Sequence, residues 1–236
     1  NTITNLTTNS SNVAVTTGQV GAVGILLATG TTCTVSGNYI SNIANTGTST
    51  LHVVVAGLSN ANGTNTVFRF NRVWGLSNTS PGTTITGPPV ACGFFIRSGT
   101  SGLLIHNNMI SLGNGQSSNT SFMGVYGNHG SSPNPTVQVY HNTINIEGTV
   151  SSGSLPTFGI ARTDFGATAR VVTYDIKNNL VTNTRSGGSG AHYAIANNYG
   201  VAAPSTSGWA AGASNYNVLN ANAGTVGWWG ANQTLA

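Results

Sequence analysis

Charged side chains are scarce in this chain, and their scarcity limits the partners it can have. Only 4% of the 236 residues are charged, seven Lys or Arg against three Asp or Glu, whereas an average globular protein has about 25%. The seven cations are scattered along the sequence and form no basic stripe with interleaved aromatic residues, which nucleic-acid binding would require. The composition therefore predicts no nucleic-acid partner.

Long apolar runs and disulfide pairs are missing as well. No segment approaches the roughly 20 apolar residues that cross a bilayer, so we expect no membrane insertion. Cys33 and Cys92 fall in different strands two repeat units apart, about 10 Å by the spacing of stacked strands, which is too far for a disulfide. We therefore expect two buried thiols.

Amphipathic helices are also absent from the sequence pattern. Clusters of Gly, Ser, Thr, Asn and Pro, such as residues 77–84, 113–121 and 131–135, separate short apolar segments and supply turns instead of helix formers. The chain is predicted to be all-β.

What the sequence does contain is a repeat marked by asparagine. An asparagine followed two residues later by an aliphatic residue recurs at intervals of 33 to 38 residues. The seven markers are Asn1, Asn38, Asn71, Asn108, Asn142, Asn179 and Asn217. A self-similar unit of this length is typical of stacked-repeat proteins.

Apolar residues alternate with polar ones on both sides of each marker. The positions three before and two after it are apolar almost throughout, for example Ile105 and Ile110 around Asn108, and this period of two is that of a half-buried strand. With two or three short strands per unit, we predict a right-handed parallel β-helix of about six to seven coils with long loops, as a single domain over residues 1–236. A β-propeller is the main competing fold, but its blade signatures are not found.

The marker asparagines are predicted to have a structural role. Each lies between two inward positions, where a coil must bend, so its amide can bond the backbone and the amide of the next coil. We expect an asparagine ladder along the stack.

Several segments resemble known β-helical proteins. The stretches 36–43, 106–110, 140–144 and 177–181 are similar to repeats of the pectin-lyase-like superfamily. With residues 214–219 and Trp228-Trp229 they resemble the β-helical region of large secreted surface proteins of Bacteroidota. This resemblance implies export, commonly by the type IX pathway, and further modules. The opening at Asn1-Thr2-Ile3, without a polar cap, likewise suggests a piece of a longer secreted protein.

Enzymes of that superfamily cleave polysaccharides with several carboxylates, and this chain has three. Asp164 and Asp175 fall in one coil, so an acid pair is conceivable, but pairing of these acids with Arg162 or Lys177 is the favoured explanation. The five histidines lack a third ligand or a catalytic partner recognisable from sequence. We assign no catalytic residue, metal or cofactor.

Two outward columns flank the markers and form the candidate binding surface. The positions two before and one after the markers alternate with buried ones and should face solvent. The binding residues predicted from these columns are Tyr39, Arg69, Arg72, His106, Tyr140 and Lys177. Aromatic rings and cationic or amide donors repeated along a solenoid suit a glycan or an acidic polymer.

A second candidate surface lies on the first strand of each unit. Leu26, Phe95 and Tyr126 are predicted to point away from the core, and a row of large apolar groups there indicates a face covered by a loop or by a partner protein. Threonines do not recur at one outward offset, so ice binding ranks low.

From these features we expect an extracellular or cell-surface β-helix that acts as a structural or adhesive stalk without catalysis. It would bind glycans, or another surface or secretion-system protein, through an outer face. The alternative is a secreted polysaccharide lyase or glycoside hydrolase.

Overall fold

The fold is known from a computed structural model that describes residues 1–9, 20–48, 53–81, 89–97, 101–128, 136–163, 173–199 and 214–234. These residues form strands joined by turns and a single 3-10 turn at Asn222–Gly224. The strands are β1 (Thr2–Thr8), β2 (Ala22–Leu27), β3 (Gly30–Thr31), β4 (Thr34–Ser36), β5 (Tyr39–Asn45), β6 (Val54–Asn60), β7 (Gly63–Thr64), β8 (Val67–Arg69), β9 (Arg72–Trp74), β10 (Ser77–Asn78), β11 (Val90–Arg97), β12 (Leu103–His106), β13 (Met109–Leu112), β14 (Ser121–Asn128), β15 (Thr136–Tyr140), β16 (Thr143–Ile146), β17 (Thr157–Thr163), β18 (Thr173–Lys177), β19 (Leu180–Asn183), β20 (His192–Asn197), β21 (Ser214–Asn215), β22 (Val218–Ala221), β23 (Thr225–Trp229) and β24 (Asn232–Thr234). No helix in these ranges is long and apolar enough to cross a membrane.

Three parallel sheets run along the stack and give the chain its architecture. Sheet A follows the order β1-β5-β9-β13-β16-β19-β22, with β10 also paired to β5. Sheet B follows β2-β6-β11-β14-β17-β20-β23-β24, and sheet C follows β4-β8-β12-β15-β18-β21. Each turn of the chain contributes one strand to sheet B, then to C, then to A, so the predicted parallel β-solenoid is confirmed.

The number of turns is slightly smaller than predicted. The stack has about five turns instead of six to seven coils. At the end of sheet B, β24 folds back antiparallel on β23.

The marker asparagines form a continuous ladder. From Asn1 to Asn217, each Nδ2 donates to the Oδ1 of the next marker at 2.8 to 3.0 Å. From Asn38 to Asn179, the backbone N–H of each marker donates to that same Oδ1. From Asn71 onward, the second Nδ2 hydrogen reaches a carbonyl of the preceding coil. The five markers between the ends are buried, so these bonds satisfy amides that water does not reach.

A different set of amides joins sheet A to the next strand of sheet B. Asn78 Nδ2 donates to the carbonyls of Val53 and Val90 at 2.8 and 3.0 Å. Asn183 Nδ2 donates in the same way to the carbonyls of Thr157 and Tyr193. Asn45 also donates to Asn78 Oδ1 at 3.0 Å. These side chains hold the corner from sheet A to sheet B.

Sheets A and B approach each other closely inside the solenoid. A glycine lies in the middle of most sheet B strands, and a Cβ built there would be 2.1 to 2.6 Å from the aliphatic residue two after a marker. The glycine and aliphatic partners are Gly24 with Ile40, Gly57 with Val73, Gly93 with Ile110, Gly124 with Ile144, and Gly159 with Val181. The aliphatic column of sheet A therefore packs directly on the backbone of sheet B.

Both faces of sheet B are buried along most of its strands, including the face predicted to be covered by a loop or by a partner protein. Its inner face joins the main core, and its outer face forms a second apolar cluster with Val54, Val90, Met123 and Phe158. Phe95 and Tyr126 do point away from the main core, but they are only 1% and 0% exposed. Because they pack within this second cluster, they offer no surface to a partner. Leu26 differs, with 45% of its surface exposed.

Two cations and one thiol also lie where the sequence did not predict them. Arg162 and Arg185 are buried. Arg185 donates to the backbone carbonyls of Gln116, Ser118 and Glu147, and its guanidinium lies 4.7 Å from the centre of the Phe122 ring. Cys92 is a buried free thiol, as expected, whereas Cys33 is free but half-buried.

The ladder should contribute strongly to stability. Asn108→Ala removes the acceptor of two Asn71 donors and leaves the Phe68 carbonyl without its amide. We expect the free energy of unfolding to fall by about 2–4 kcal/mol, measured by urea denaturation. Asn145→Ala, at a half-exposed position on the same sheet, is the control and should change stability by less than about 0.5 kcal/mol. Equal losses in the two variants would contradict a special role for the ladder.

The close approach of sheets A and B gives a second prediction. Gly57→Ala places a Cβ 2.3 Å from Val73 Cγ1 and 3.0 Å from the Gly93 carbonyl oxygen, so we expect a loss of about 3 kcal/mol from overpacking. Adding Val73→Ala removes the clashing methyl groups, so the double variant should lose less than the sum of the single variants. Additive losses in urea denaturation would contradict this account.

Candidate functional site

The backbone turns at each marker in a way that determines which side chains reach solvent. The residue immediately before each marker from Asn38 onward has a left-handed backbone, with φ between 53° and 68°. These residues are Gly37, Phe70, Asn107, His141, Asn178 and Tyr216, and all six are exposed. Only glycine and asparagine adopt this conformation readily. The turn buries the marker and makes the preceding side chain project outward.

The predicted column before the markers lies at the end of the sheet C strands. Strand pairing aligns Ser36, Arg69, His106, Tyr140, Lys177 and Asn215 in one row. Arg69 is exposed, and His106, Tyr140 and Lys177 are half-buried. Four of the six predicted binding residues are therefore neighbours along the axis of the solenoid.

The predicted column after the markers lies at the start of the sheet A strands. Pairing aligns Tyr39, Arg72, Met109, Thr143, Leu180 and Val218. Tyr39 and Arg72, the other two predicted binding residues, are both exposed. The two columns belong to different sheets, so they do not form one flat ribbon. With the left-handed residues between them they form a ridge, which we call the corner ridge.

Cations and aromatic rings are in contact on the corner ridge near Asn71. The Arg69 guanidinium lies 5.7 Å from the centre of the Phe70 ring, and that of Arg72 lies 5.3 Å from the Tyr39 ring. The Phe70 and His106 rings are 6.0 Å apart. Partial burial, followed by the positive charges of Arg69 and His141, lowers the pKa of His106. This part of the ridge is electropositive.

A carboxylate lies beside the ridge three coils beyond Arg69. Asp175 forms an ion pair with Lys177, whose Nζ lies 2.9 Å from Oδ1, and it accepts a hydrogen bond from the Tyr140 hydroxyl. Burial, and then this bond to Asp175, raises the pKa of Tyr140. The predicted pairing of Asp175 with Lys177 is thus present.

The predictions for the other two residues, Arg162 and Asp164, have different outcomes. Arg162 is on sheet B, where its Nη1 donates to Asn197 Oδ1 at 2.8 Å, whereas Asp175 is on sheet C. Asp164, the other member of the conceivable acid pair, lies outside the described residues.

Trp74 is a surface aromatic residue that sequence reasoning missed. It is 40% exposed and lies three residues after Asn71, on the outer face of sheet A. Pairing aligns it with Ser41 and Ser111. The corresponding positions of the other coils carry small polar residues, so no aromatic column revealed this position. The signal that could have identified it is a large aromatic side chain in a column of small polar side chains.

A separate cavity of about 300 Å³ lies near the last turns, lined by Arg185, His192, Tyr193 and several glycines. Its ionisable groups are already engaged, since Arg185 binds three carbonyls and His192 Nδ1 lies 2.9 Å from Thr157 Oγ1. Burial lowers the pKa of His192. No carboxylate lines this cavity in the described part of the chain, so it resembles a structural corner more than a reaction centre.

No group of three or more His, Cys, Asp and Glu residues that could hold a metal occurs in the described ranges. The outer columns of the corner ridge are therefore the best candidate site, and their chemistry is binding through rings, guanidinium groups and amides.

The electrostatics of the ridge can be tested at His106. Removing the neighbouring positive charge with Arg69→Gln should raise the pKa of His106, because a nearby cation disfavours the protonated imidazole. The shift is measurable by NMR titration of the histidine ring. Arg72→Gln is the matched control and should leave this pKa unchanged. A lower or unaltered pKa in the Arg69 variant would contradict the assigned interaction.

Comparison of the chain with known families, curated proteins and solved structures gives no match to a family model, to a curated protein or to a solved structure.

Proposed function

We propose that this chain is a non-catalytic extracellular or cell-surface stalk that binds glycans along its corner ridge. The observation that carries the proposal is the in-register row of Arg69, His106, Tyr140 and Lys177 beside the exposed Tyr39 and Arg72. Neighbouring coils lie about 4.8 Å apart, so the row offers regularly spaced groups to an extended polymer. Solenoid faces of this kind are common binding surfaces.

The types of side chain on the ridge suit a sugar polymer. A sugar ring has an apolar face that packs on an aromatic ring and hydroxyl groups that need hydrogen-bond partners. Tyr39 and Phe70 are exposed rings, while Asn107 and the cations of the two columns supply hydrogen-bond donors. Many weak contacts repeated along the axis give avidity without a deep pocket.

The state of Asp175 supports binding over catalysis. A glycosidase needs a carboxylic acid and a second carboxylate at a defined separation. Asp175 is already bound by Lys177 and Tyr140, which hold its charge on the ridge surface. The alternative, a secreted polysaccharide lyase or glycoside hydrolase, would need this carboxylate or Asp164 to react.

Export and lineage are part of this proposal. The likeness of the repeats to the pectin-lyase-like superfamily, and to β-helical surface proteins of Bacteroidota, supports secretion and attachment to further modules. The low charge content, with Ser, Thr and Asn on the outer faces, suits a rigid extracellular spacer.

The proposal is tested by binding of the purified chain to a panel of immobilised polysaccharides. We expect retention on at least one glycan, with Tyr39→Ala and Lys177→Ala each weakening it about five- to tenfold, equivalent to about 1 kcal/mol. Ser152→Ala, at an exposed turn away from the ridge, is the control and should bind normally.

Incubation with the same polysaccharides separates the two candidate functions. The stalk should release no reducing ends and no unsaturated products. Turnover that is abolished by Asp175→Asn would overturn the proposal in favour of the enzyme, and absence of binding to every glycan would remove the adhesive role.

A further inference from the structure

A groove of about 300 Å³ lies on the outer face of sheet A, beside the corner ridge. Three consecutive coils line it, with Val73 and Ile110 at its base. The outward side chains form two rows. Arg72, Met109 and Thr143 make one row, and Trp74, Ser111 and Asn145 make the other. The six side chains of this groove belong to a single rigid sheet.

Large apolar groups are left open to solvent in this groove. Trp74 is 40% exposed and Met109 is 51% exposed, although a soluble protein usually buries such residues. Ser111, the partner of Trp74 on the next strand, is too short to cover the indole ring. The groove therefore presents an aromatic surface with free space beside it.

Polar groups surround this apolar centre. Ser111, Thr143 and Asn145 are half-buried and carry hydroxyl or amide groups that can bond to a ligand. An apolar centre with a polar rim matches the two sides of a pyranose ring, whose C–H groups are attracted to the negative face of an aromatic ring. A volume near 300 Å³ is at the small end of ligand sites and is suited to a single sugar unit.

The charge of the groove indicates which sugars it prefers. Arg72 is the one charged residue among its lining residues, and Arg69 lies just across the corner. Neither arginine makes an ion pair with the described residues of the chain, where the ion pair present is Lys177 with Asp175. The cations near Asn71 are therefore uncompensated. An anionic group complements them, because guanidinium groups bind carboxylates and sulfates in a bidentate manner.

We propose that this groove binds an anionic pyranose unit of a glycan. The sugar ring stacks on Trp74, its carboxylate or sulfate group pairs with Arg72, and its hydroxyl groups bond to Ser111, Thr143 and Asn145. This inference rests on the proposed glycan-binding function and specifies its ligand class and its main contact.

The test uses three polymers with the same backbone: dextran, carboxymethyl dextran and dextran sulfate. Affinity is measured by isothermal titration calorimetry at two salt concentrations. We expect both anionic polymers to bind at least tenfold more tightly than neutral dextran, with the difference decreasing at high salt. The two anionic polymers distinguish a carboxylate from a sulfate as the preferred group.

Variants of the groove assign the contacts. Arg72→Gln should reduce binding of the anionic polymers about tenfold or more and reduce the weak binding of neutral dextran far less. Trp74→Ala should weaken binding of all three polymers, and Trp74→Phe should retain most of it. Ser152→Ala, at the exposed turn away from the ridge, is the control. Circular dichroism of each variant confirms that the fold is intact.

The outcomes separate this inference from the function on which it rests. Equal affinity for neutral and anionic dextran, or binding that persists in the Trp74→Ala and Arg72→Gln variants, overturns the groove but leaves a glycan-binding ridge. If none of the three dextrans binds, but another glycan binds without depending on Trp74, the groove is again overturned and the glycan-binding ridge remains. Absence of binding to any glycan removes both proposals.

Discussion

The fold depends on a row of buried amides that can be satisfied only by one another. Asn108, like the other markers from Asn71 to Asn179, accepts two hydrogen bonds from the preceding marker and donates two to the following one, through its backbone N–H and its Nδ2. An amide left alone in this position would cost about 1–3 kcal/mol for each unpaired group, so successive coils must stack in register. The spacing between successive markers varies between 33 and 38 residues. Because the ladder must stay in register, the extra residues are placed away from the corner.

The close approach of sheets A and B determines where function can lie. Glycines in sheet B let the aliphatic column of sheet A contact its backbone, and the outer face of sheet B is filled by its own apolar cluster. Sheets A and C thus carry the outer columns that face solvent around the corner. The proposed glycan contacts occupy these columns, where side chains can vary without disturbing the core.

Much of this architecture could be predicted from the repeat, because the inward columns and the corner asparagines recur at every coil. Periodicity could not show what covers an outward column, so a covering loop and a partner protein both stayed open for Phe95 and Tyr126, which are buried within the chain. It also could not locate single departures from the pattern. Arg185 is buried because backbone carbonyls of neighbouring turns satisfy it, and Trp74 replaces a small residue in one coil. Such features depend on contacts between coils that have no fixed sequence spacing.

The ladder also has a direction. From Asn38 onward, every marker oxygen accepts from the preceding marker, and from Asn1 to Asn179 every Nδ2 donates one hydrogen forward to the next marker, so the side-chain amides are aligned in one direction. Backbone dipoles in a sheet largely cancel, whereas aligned amides add and polarise one another. The ladder therefore contributes a dipole along the axis of the solenoid, with its positive end toward Asn217 and its negative end toward Asn1.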